Sequence, residues 1–415
     1  AQSAAVQYID ISKTFEPCLD ISRSAINADK VQNGNPLYRG NGVLVAIFDS
    51  GIDWRHQDFI DSQGKSRILY LWDMTDDAGP APSGFTYGSE YTQAQINDEI
   101  DGTPTGKVRE KDSIGHGTHV AGIAAGDGSA TGNGVAPFTY VGMAPEADLI
   151  IVKGGDNEFT ETNELNGLAY ILQKARSLNR PVVINFSFAG HWGAHDGSDL
   201  LEQAIDSAAK PGQIIIVAAG NEGAYPIHAE GWVFQDQGEL PFFNVKQGAN
   251  DIWIDIWHSG QDIMSLEVWP PQGEKTSAVE SGTLSNWKYW NTVSGKIGII
   301  APPKNSQNQD YEFTIYLQKN GNTVVEVGEW ALLLRGIRIT NGRFDAWTHN
   351  SKAEFVTYSE DEILVGIPGT SRQAITVASY CTKNSWPGLD GNMHSYSVMP
   401  ELQAISSFKI GRAPV

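Results

Sequence analysis

The stretch Val43-Leu-Val-Ala-Ile-Phe-Asp49-Ser-Gly-Ile-Asp53 is an apolar run that ends on a carboxylate and a glycine-containing turn. Short apolar runs bounded by turn residues are typical of strands buried on both faces, as in parallel sheets covered by helices. Apolar residues at helical spacing follow over Glu164 to Leu178, with Thr160 or Thr162 available as the cap. Further strand runs of the same kind are Leu149–Lys153, Val182–Phe186 and Ile214–Ala218.

This alternation of buried strands with a helix predicts an α/β fold, a parallel sheet with helices on both faces and right-handed crossovers. Residues 225–359 differ, because Asp251–Trp257 and Glu312–Gln318 alternate apolar with polar residues. Asn320-Gly321 and Asn341-Gly342 are typical of hairpin turns. We therefore expect a β-sandwich in this stretch.

Eight of the twelve tryptophans (232, 253, 257, 269, 287, 290, 330 and 347) lie in the predicted sandwich. Exposed tryptophans could form a platform for a sugar ring. Packing of the sandwich core is the more common use of such side chains, and we favour it.

Ile363–Gly366 and Ala374–Tyr380 return to the buried-strand pattern, so the sandwich is expected to be inserted into the α/β domain. The expected organisation is an N-terminal extension (1–42), the first part of the α/β domain (43–224), the insertion (225–360) and an incomplete return to the α/β domain (361–415). Residues 73–111 read as a long polar loop.

Composition narrows the function classes. The chain carries 49 Asp and Glu against 29 Lys and Arg, so a nucleic-acid backbone would be repelled and is excluded as a partner. No apolar run approaches the roughly 20 residues that a membrane span requires. An acidic surface suits a secreted or extracytoplasmic protein. Cys18 and Cys381 lie far apart in sequence, and two unpaired thiols are the favoured interpretation over a disulfide.

Two motifs point to acid–base chemistry. Asp49 ends a buried strand, which is where open α/β sheets place their sites, although such an Asp more often caps a loop. The run Gly115-His116-Gly-Thr-His-Val-Ala-Gly122 places His116 at the start of a helix whose small residues allow close packing on the sheet. If Asp49 accepts a hydrogen bond from Nδ1–H of His116, then Nε2 is the basic nitrogen. His119, one turn further, is interpreted as a packed residue.

Two further strand ends suit the handling of an acyl group. Ile214–Ala218 leads into Ala219-Gly220-Asn221-Glu222-Gly223, which exposes a carboxamide that could donate to an oxyanion. Ser187-Phe-Ala-Gly190 ends another strand with little side-chain bulk, so an extended peptide could pair along it. An ordinary turn and an ordinary strand end are the alternatives for each motif taken alone.

In this order and at this spacing, the four motifs resemble those of the subtilisin-like (subtilase) family over roughly residues 20–224 and 361–415. The resemblance implies that Asp49 orients His116, that His116 is general base and acid, and that Asn221 is the oxyanion donor. It also implies that the chemistry needs no cofactor, with calcium a candidate structural ligand at Asp58. Residues implied to contact the substrate are Asp112, Ser187, Phe188, Ala189, Gly190 and Gly220.

A narrower resemblance links the run His195–Glu202, together with the insertion, to the clostridial spore-germination proteases. That resemblance implies that the inserted β-sandwich is a jelly roll flanking the substrate cleft. In such a position the insertion could restrict substrate access or lock the protease domain.

The nucleophilic serine is not recognisable in the chain. The family places it in Gly-Thr-Ser-Met-Ala, some tens of residues beyond a stretch such as Ser406-Ser407-Phe408. Gly369-Thr370-Ser371 copies the tripeptide, but the residues that follow read as a strand and not a helix. The sequence could be a fragment, a cleaved chain with a C-terminal fragment carrying the serine as its partner, or a non-catalytic relative.

The favoured interpretation is a serine endopeptidase acting on peptide or protein substrates. The alternative is a pseudoprotease that serves as a binding or regulatory module.

Overall fold

The computed structural model describes residues 19–102, 105–131, 136–156, 158–223, 225–321, 324–349, 352–379, 385–387 and 393–395. It divides into a first unit of residues 1–158 with 382–395 and a second unit of residues 159–381 with 396–415. Cys18, Cys381 and Ser406-Ser407-Phe408 lie outside the described residues. In the first unit, the elements up to residue 158 are α1 (Leu19–Ala25), α2 (Ala28–Gln32), β1 (Leu44–Asp49), a 3₁₀ turn (Gln57–Phe59), β2 (Ile68–Asp73), β3 (Ser89–Thr92), α3 (Gln93–Ile100), α4 (His116–Ala125) and β4 (Asp148–Lys153).

In the first unit, β1, β4 and β2 are parallel and β3 lies antiparallel at the edge, in the order β1-β4-β2-β3. Every residue of β1 is buried, as expected of a strand covered on both faces. Ala121 and Ala125 of α4 share a core with Ile47 of β1 and Ile151 of β4. Small side chains on α4 thus let it approach the sheet closely.

Residues 73–111 are not the loop that the sequence predicts, because β3 and α3 lie within them. Thr92 and Gln95 form a capping box that starts α3. The many Gly, Pro and Asp residues around these short elements hide their pattern in the sequence.

The second unit combines parallel strands with two antiparallel sheets. Thr160 caps α5 through its hydroxyl, which accepts the N–H of Asn163, so the predicted helix and the first of its two candidate caps are correct. The elements are α5 (Glu161–Leu178), β5 (Val182–Phe186), α6 (Leu200–Ala208), β6 (Gln213–Ala218), β7 (His228–Trp232), β8 (Gly238–Glu239), β9 (Phe242–Val245), β10 (Asp251–His258), β11 (Ile263–Trp269), β12 (Val279–Glu280), β13 (Leu284–Thr292), β14 (Gly295–Ala301), β15 (Tyr311–Gln318), β16 (Gly328–Arg338), β17 (Arg343–Thr348), β18 (Ala353–Phe355), β19 (Ser359–Glu360) and β20 (Ile375–Val377).

β5, β6 and β20 are parallel, in the order β20-β6-β5. The chain between β6 and β20 builds the antiparallel sheets, whose orders are β13-β14-β15-β10-β17-β7-β19 and β12-β11-β16-β9-β18, with β8 beside β16. Ile254 and Ile315 of one sheet share a buried core with Leu266 and Leu332 of the other, so the two sheets pack face to face. The pair β21 (Ser385–Pro387) and β22 (Met393–Ser395) belongs to the first unit and is antiparallel.

The predicted fold class is confirmed, since the molecule is a mixed α/β protein with parallel strands, helices and additional antiparallel sheets. The jelly-roll designation and the boundaries at residues 42, 224 and 360 stay predictions. In the described part of the chain, no helix is both long and apolar enough to cross a membrane.

The predicted hairpins at Asn320-Gly321 and Asn341-Gly342 are wrong. The first turn lies between β15 and β16, and the second lies between β16 and β17. In each case the two strands belong to different sheets. Turn residues report a local reversal of the chain, whereas strand pairing is set by which faces must be buried together.

The tryptophans serve mixed roles. Trp257, Trp330 and Trp347 are buried, whereas Trp232 and Trp269 are exposed. On β10 the isoleucines, not the tryptophans, face the sandwich core, because Ile252, Ile254 and Ile256 alternate with Trp253 and Trp257 along the strand.

Candidate active site

Asp49 and His116 form a hydrogen-bonded pair in the first unit. Asp49 is the last residue of β1 and is buried, while His116 is the first residue of α4 and its side chain is 51% exposed. The Nδ1 atom of His116 lies 2.7 Å from Oδ1 of Asp49. This hydrogen bond is the main reason why the pKa of His116 is raised, against the opposing effect of burial. The proton on Nδ1 is thereby fixed, and Nε2 becomes the basic nitrogen.

Ser50 and Asp112 connect the turn after β1 to the start of α4. The Ser50 hydroxyl donates to Oδ1 of Asp112 and accepts the N–H of Gly117. Asp112 also accepts the N–H of Gly115 and both the N–H and hydroxyl of Thr118. Desolvation raises the pKa of Asp112, but these hydrogen bonds outweigh it and hold the pKa low. Asp112 therefore caps α4, and its predicted contact with substrate stays a prediction.

Two glycines allow this close approach. A Cβ on Gly117 would lie 2.2 Å from the carbonyl oxygen of Gly51 and 3.1 Å from Cβ of Asp49. Gly51 has φ +118°, and a Cβ there would lie 2.1 Å from Oε1 of Glu110. A side chain on Gly117 would push α4 away from the turn after β1, and one on Gly51 would displace the Glu110 side chain. His119, expected to pack, is exposed.

Glu110 is a buried carboxyl that contacts the same turn, and no sequence motif marks it. Its Oε1 accepts the N–H of Ile52, and Oε2 is buried with no hydrogen-bond partner among the described residues. Burial is the main cause that raises the pKa of Glu110 to about 8. Glu110 is therefore protonated at neutral pH, and it fixes the turn without adding a charge beside Asp49.

The second unit holds the other predicted site residues. Ser187 to Gly190 follow β5, and Gly190 exchanges two backbone hydrogen bonds with Ile367. Phe188 packs against Phe159 and Phe186, with ring centroids 5.2 and 5.4 Å apart. A Cβ on Gly220 would lie 3.7 Å from that of Ala189, so the structure brings these two strand ends together.

Asn221 is exposed, and its backbone N–H donates to Oε2 of Glu222 at 2.7 Å. The same oxygen lies 3.4 Å from Nε2 of His191, a residue that no sequence motif marks. Gly220 has φ +102°, and a Cβ there would lie 2.6 Å from this oxygen. Gly220 thus leaves room for the Glu222 side chain to fold back over the turn.

The surroundings of Asp58 do not fit a calcium site. Oδ1 of Asp58 accepts the N–H of Ala130, and the buried guanidinium of Arg67 donates to the carbonyl oxygens of Asp58, Ala125 and Ala147. A cation already satisfies these oxygens. No group of three His, Cys, Asp or Glu residues that could hold a metal occurs among the described residues. Calcium at other positions stays a prediction.

Ser371 occupies a tight turn. It is buried, and its hydroxyl donates to the carbonyl oxygen of Pro368 at 2.6 Å. The neighbouring Thr370 hydroxyl donates to Glu202 of α6, and β20 follows at Ile375. The geometry is that of a strand entry, so it favours the interpretation that Ser371 is not the nucleophile.

Known proteins resemble this chain in sequence and in fold. A sequence model of the subtilase family matches residues 40–254, more than half of the chain. Subtilisin from Bacillus sp. (strain TA39) is 32% identical over 188 residues, covering 45% of this chain and 35% of that protein. The major intracellular serine protease of Bacillus subtilis (strain 168) is 32% identical over 189 residues, covering 45% of this chain and 44% of that protein. The chain thus spans less than half the length of these relatives.

Among solved structures, the CspB protease of Clostridium perfringens is similar to this chain with a TM-score of 0.73 and 28% sequence identity. The likeness covers 92% of this chain and 78% of that one. Because so much of this chain is covered, the likeness includes the antiparallel sheets as well as the parallel strands.

Proposed function

The chain belongs to the subtilase family, and on that premise we propose that the complete protein is a serine endopeptidase that hydrolyses peptide bonds. The observation that carries the proposal is the 2.7 Å contact between Nδ1 of His116 and the buried carboxylate of Asp49. A buried carboxylate that fixes the tautomer of a half-exposed histidine is the arrangement that activates a serine hydroxyl.

In the proposed mechanism, Nε2 of His116 takes the proton of the serine as its oxygen attacks the carbonyl carbon of the scissile bond. Asp49 stabilises the imidazolium that forms, and His116 then gives the proton to the leaving amine. Asn221 donates from its side chain to the oxyanion, and loss of such a donor lowers kcat by about 10²–10³-fold in acyl-transfer enzymes. Ser187 to Gly190 are proposed to pair with the substrate backbone. None of these steps requires a cofactor.

We place the serine on a segment outside residues 1–415. The turn geometry of Ser371 supports this, because its hydroxyl already donates to the carbonyl oxygen of Pro368. The exposure of Ile214 on β6 and of Ile375 and Val377 on β20, at 44%, 54% and 51%, also supports it. Buried-strand sequences with such exposure are expected to be covered by further residues of the protease domain.

The test is the intact mass of the complete protein, purified from its source, before and after a fluorophosphonate that labels activated serines. We expect one covalent adduct on a segment that lies beyond Val415, and no adduct in His116→Ala. A complete protein that takes no adduct would contradict the proposal and favour the pseudoprotease alternative. An adduct on Ser371 would contradict the placement of the serine.

A further inference from the structure

A row of side chains in the second unit connects Asn221 to the antiparallel sheets. His191 and His195 are buried in the segment after Gly190, and their rings stack with centroids 5.3 Å apart. Nδ1 of His191 lies 3.0 Å from Nε2 of His195, and Nδ1 of His195 lies 3.0 Å from the carbonyl oxygen of Gly193. At the other end, Glu222 contacts both His191 and the N–H of Asn221.

The protons in this row can be assigned from the carbonyl outward. The Gly193 carbonyl can only accept, so Nδ1 of His195 carries a proton. Burial, followed by the nearby His191, lowers the pKa of His195 well below its ordinary value, so this ring is neutral and its Nε2 accepts. Nδ1 of His191 must therefore donate to it.

Nε2 of His191 then faces a carboxylate. Desolvation raises the pKa of Glu222, but the hydrogen bond and charge of His191 outweigh it and lower the pKa. Glu222 is therefore an anion that can only accept, and the contact is attractive only when Nε2 of His191 also carries a proton. In this arrangement both ring nitrogens of His191 donate, Nδ1 to His195 and Nε2 to Glu222.

We propose that the His191–Glu222 ion pair is a positioning device that holds the backbone of Asn221 in the orientation its side chain needs to donate to the oxyanion. The proposal rests on the proposed function. Oε2 of Glu222 is shared between Nε2 of His191 and the N–H of Asn221, so the pair acts on the donor through the backbone next to it. His191 is only 3% exposed and cannot itself contact a substrate.

The antiparallel sheets support this pair from behind. The ring of Trp347 on β17 stacks on His195, with centroids 4.1 Å apart and planes at 13°. The ring of His228 on β7 stacks on Trp347 with centroids 4.8 Å apart, and its Nε2 lies 3.1 Å from Oδ1 of Asp345. The residues between β6 and β20 therefore buttress the turn that carries Asn221.

Other titratable groups face the row from the elements packed against it. His228 and His349 both lie near enough to lower the pKa of His195, after the larger effects of burial and His191. Asp345, beside His228, also contacts Arg343, and Asp255, beside His349, also accepts the N–H of Gly193. These groups bear on His195 and its support, whereas Glu222 is the carboxylate within 4 Å of His191 among the described residues.

The first test is a double-mutant cycle in the complete protein with His191→Gln, Glu222→Gln and both changes. The substrate has an uncharged residue before the scissile bond, so that the change of charge at position 222 does not act directly on the substrate. Each single change is expected to lower kcat about tenfold with little change in KM, because the oxyanion forms only in the transition state. The double variant is expected to lose no more than either single one, since both changes break one unit.

Titration of the serine with the fluorophosphonate separates positioning from misfolding, because it counts the folded active sites. In both single variants kcat per titrated serine is expected to fall about tenfold, while KM stays near that of the wild type. Glu161→Gln, at an exposed position in the first turn of α5, is the matched control and is expected to keep the kcat of the wild type. Additive losses of kcat, or an unchanged kcat per titrated serine in His191→Gln, would overturn the proposal.

An NMR readout does not depend on activity. In complete protein with ¹⁵N-labelled histidine, the signals of His191 are identified as those that change in Glu222→Gln. They are expected to show that both ring nitrogens of His191 are protonated at neutral pH. His195 is expected to stay a neutral Nδ1–H tautomer. A neutral His191 at the pH of maximal activity would overturn the ion pair. If the ion pair is intact but the protein takes no fluorophosphonate, the proposed function is wrong and so is the role of the pair in catalysis. The His191–Glu222 contact itself would still stand.

Discussion

Asp49 is the residue on which the base strength of His116 depends. Its hydrogen bond is the first cause of the raised pKa, with burial opposing it and the charges of Asp49 and Asp112 adding to it. Because the folded-state pKa is raised, the contribution of this pair to stability is present below the ordinary pKa of about 6.5 and is lost as pH rises through the folded value.

Asp49→Asn is therefore expected to lower the pKa of His116, because burial then acts against a weaker attraction from Asp112 alone. The measurement is an NMR titration of the His116 ring in both proteins. Asp77→Asn, a carboxylate that accepts the N–H of Gly88 and does not contact His116, is the control and should leave the titration unchanged. An unaltered His116 titration in Asp49→Asn would contradict the assigned role of Asp49.

Glu110 gives a second prediction at this scale. Its pKa of about 8, against an ordinary value near 4.5, means that the folded state favours the protonated carboxyl. The associated stability is present below pH 4.5 and is lost as pH rises through 8. Glu110→Gln keeps an acceptor for Ile52 but cannot ionise, so its urea midpoint should fall less than that of the wild type between pH 5 and pH 9.

Glu164 provides the control for Glu110, since burial also raises its pKa to about 8 but it lies on α5. Glu164→Gln should reduce the pH dependence of stability in the same direction and leave the His116 titration unchanged. If Glu110→Gln retains the full wild-type pH dependence, Glu110 is ionised in the folded protein and the argument is wrong.

At the scale of elements, α4 is held by polar contacts at both ends. Asp112 satisfies backbone N–H groups at its start, and Arg67 donates to the carbonyl oxygen of Ala125 at its end. The orientation of His116 thus depends on residues that do not take part in the proposed chemistry.

Arg67→Met tests the end of α4. It removes the donor to three carbonyl oxygens, and buried acceptors left unpaired cost about 1–3 kcal/mol each, so the free energy of unfolding should fall by about 3 kcal/mol or more. Chemical denaturation measures this change. If the guanidinium takes the place of calcium at Asp58, excess EDTA should change the Tm of the wild type and of Asp58→Asn by the same amount. A fall in Tm that occurs in the wild type and not in Asp58→Asn would contradict that interpretation.

The sequence predicts elements well where the signal is local. The buried runs Leu44–Phe48 and Val182–Phe186 and the periodic helix after Thr160 match the structure because apolar patterning sets burial directly. The pairing of β15, β16 and β17 could not be predicted, because it depends on contacts between distant residues. In the same way the motifs predict the contact of Asp49 with His116, whereas Glu110 and His191 have no local pattern that marks them.

At the scale of the whole chain, part of the parallel sheet in the second unit is exposed in the described portion of the structure. The sequence predicts that Ile375 and Val377 are buried, yet both are exposed on β20. The sequence pattern is that of a covered strand, which is the basis for proposing a further segment of the protease domain over it.

Ile375→Thr together with Val377→Thr tests this proposal. Expressed as residues 1–415, the variant should be more soluble and bind less of a fluorescent apolar dye than the wild type, because an exposed apolar patch is removed. In the complete protein the same changes should lower Tm, because they place hydroxyls in a buried contact. An unchanged Tm of the complete protein would mean that no segment covers β20.

The chain leaves the parallel strands after β6 and returns to them in the adjacent strand β20, so both ends of the long antiparallel excursion lie at neighbouring positions. Because its two ends are adjacent, the excursion constrains the parallel strands in the same way as a single surface loop between β6 and β20. The entropy cost of such a loop grows only with the logarithm of its length, by about 0.6 kcal/mol for each doubling. The length of the excursion can therefore change at this point with little cost to the parallel strands, whose order is preserved.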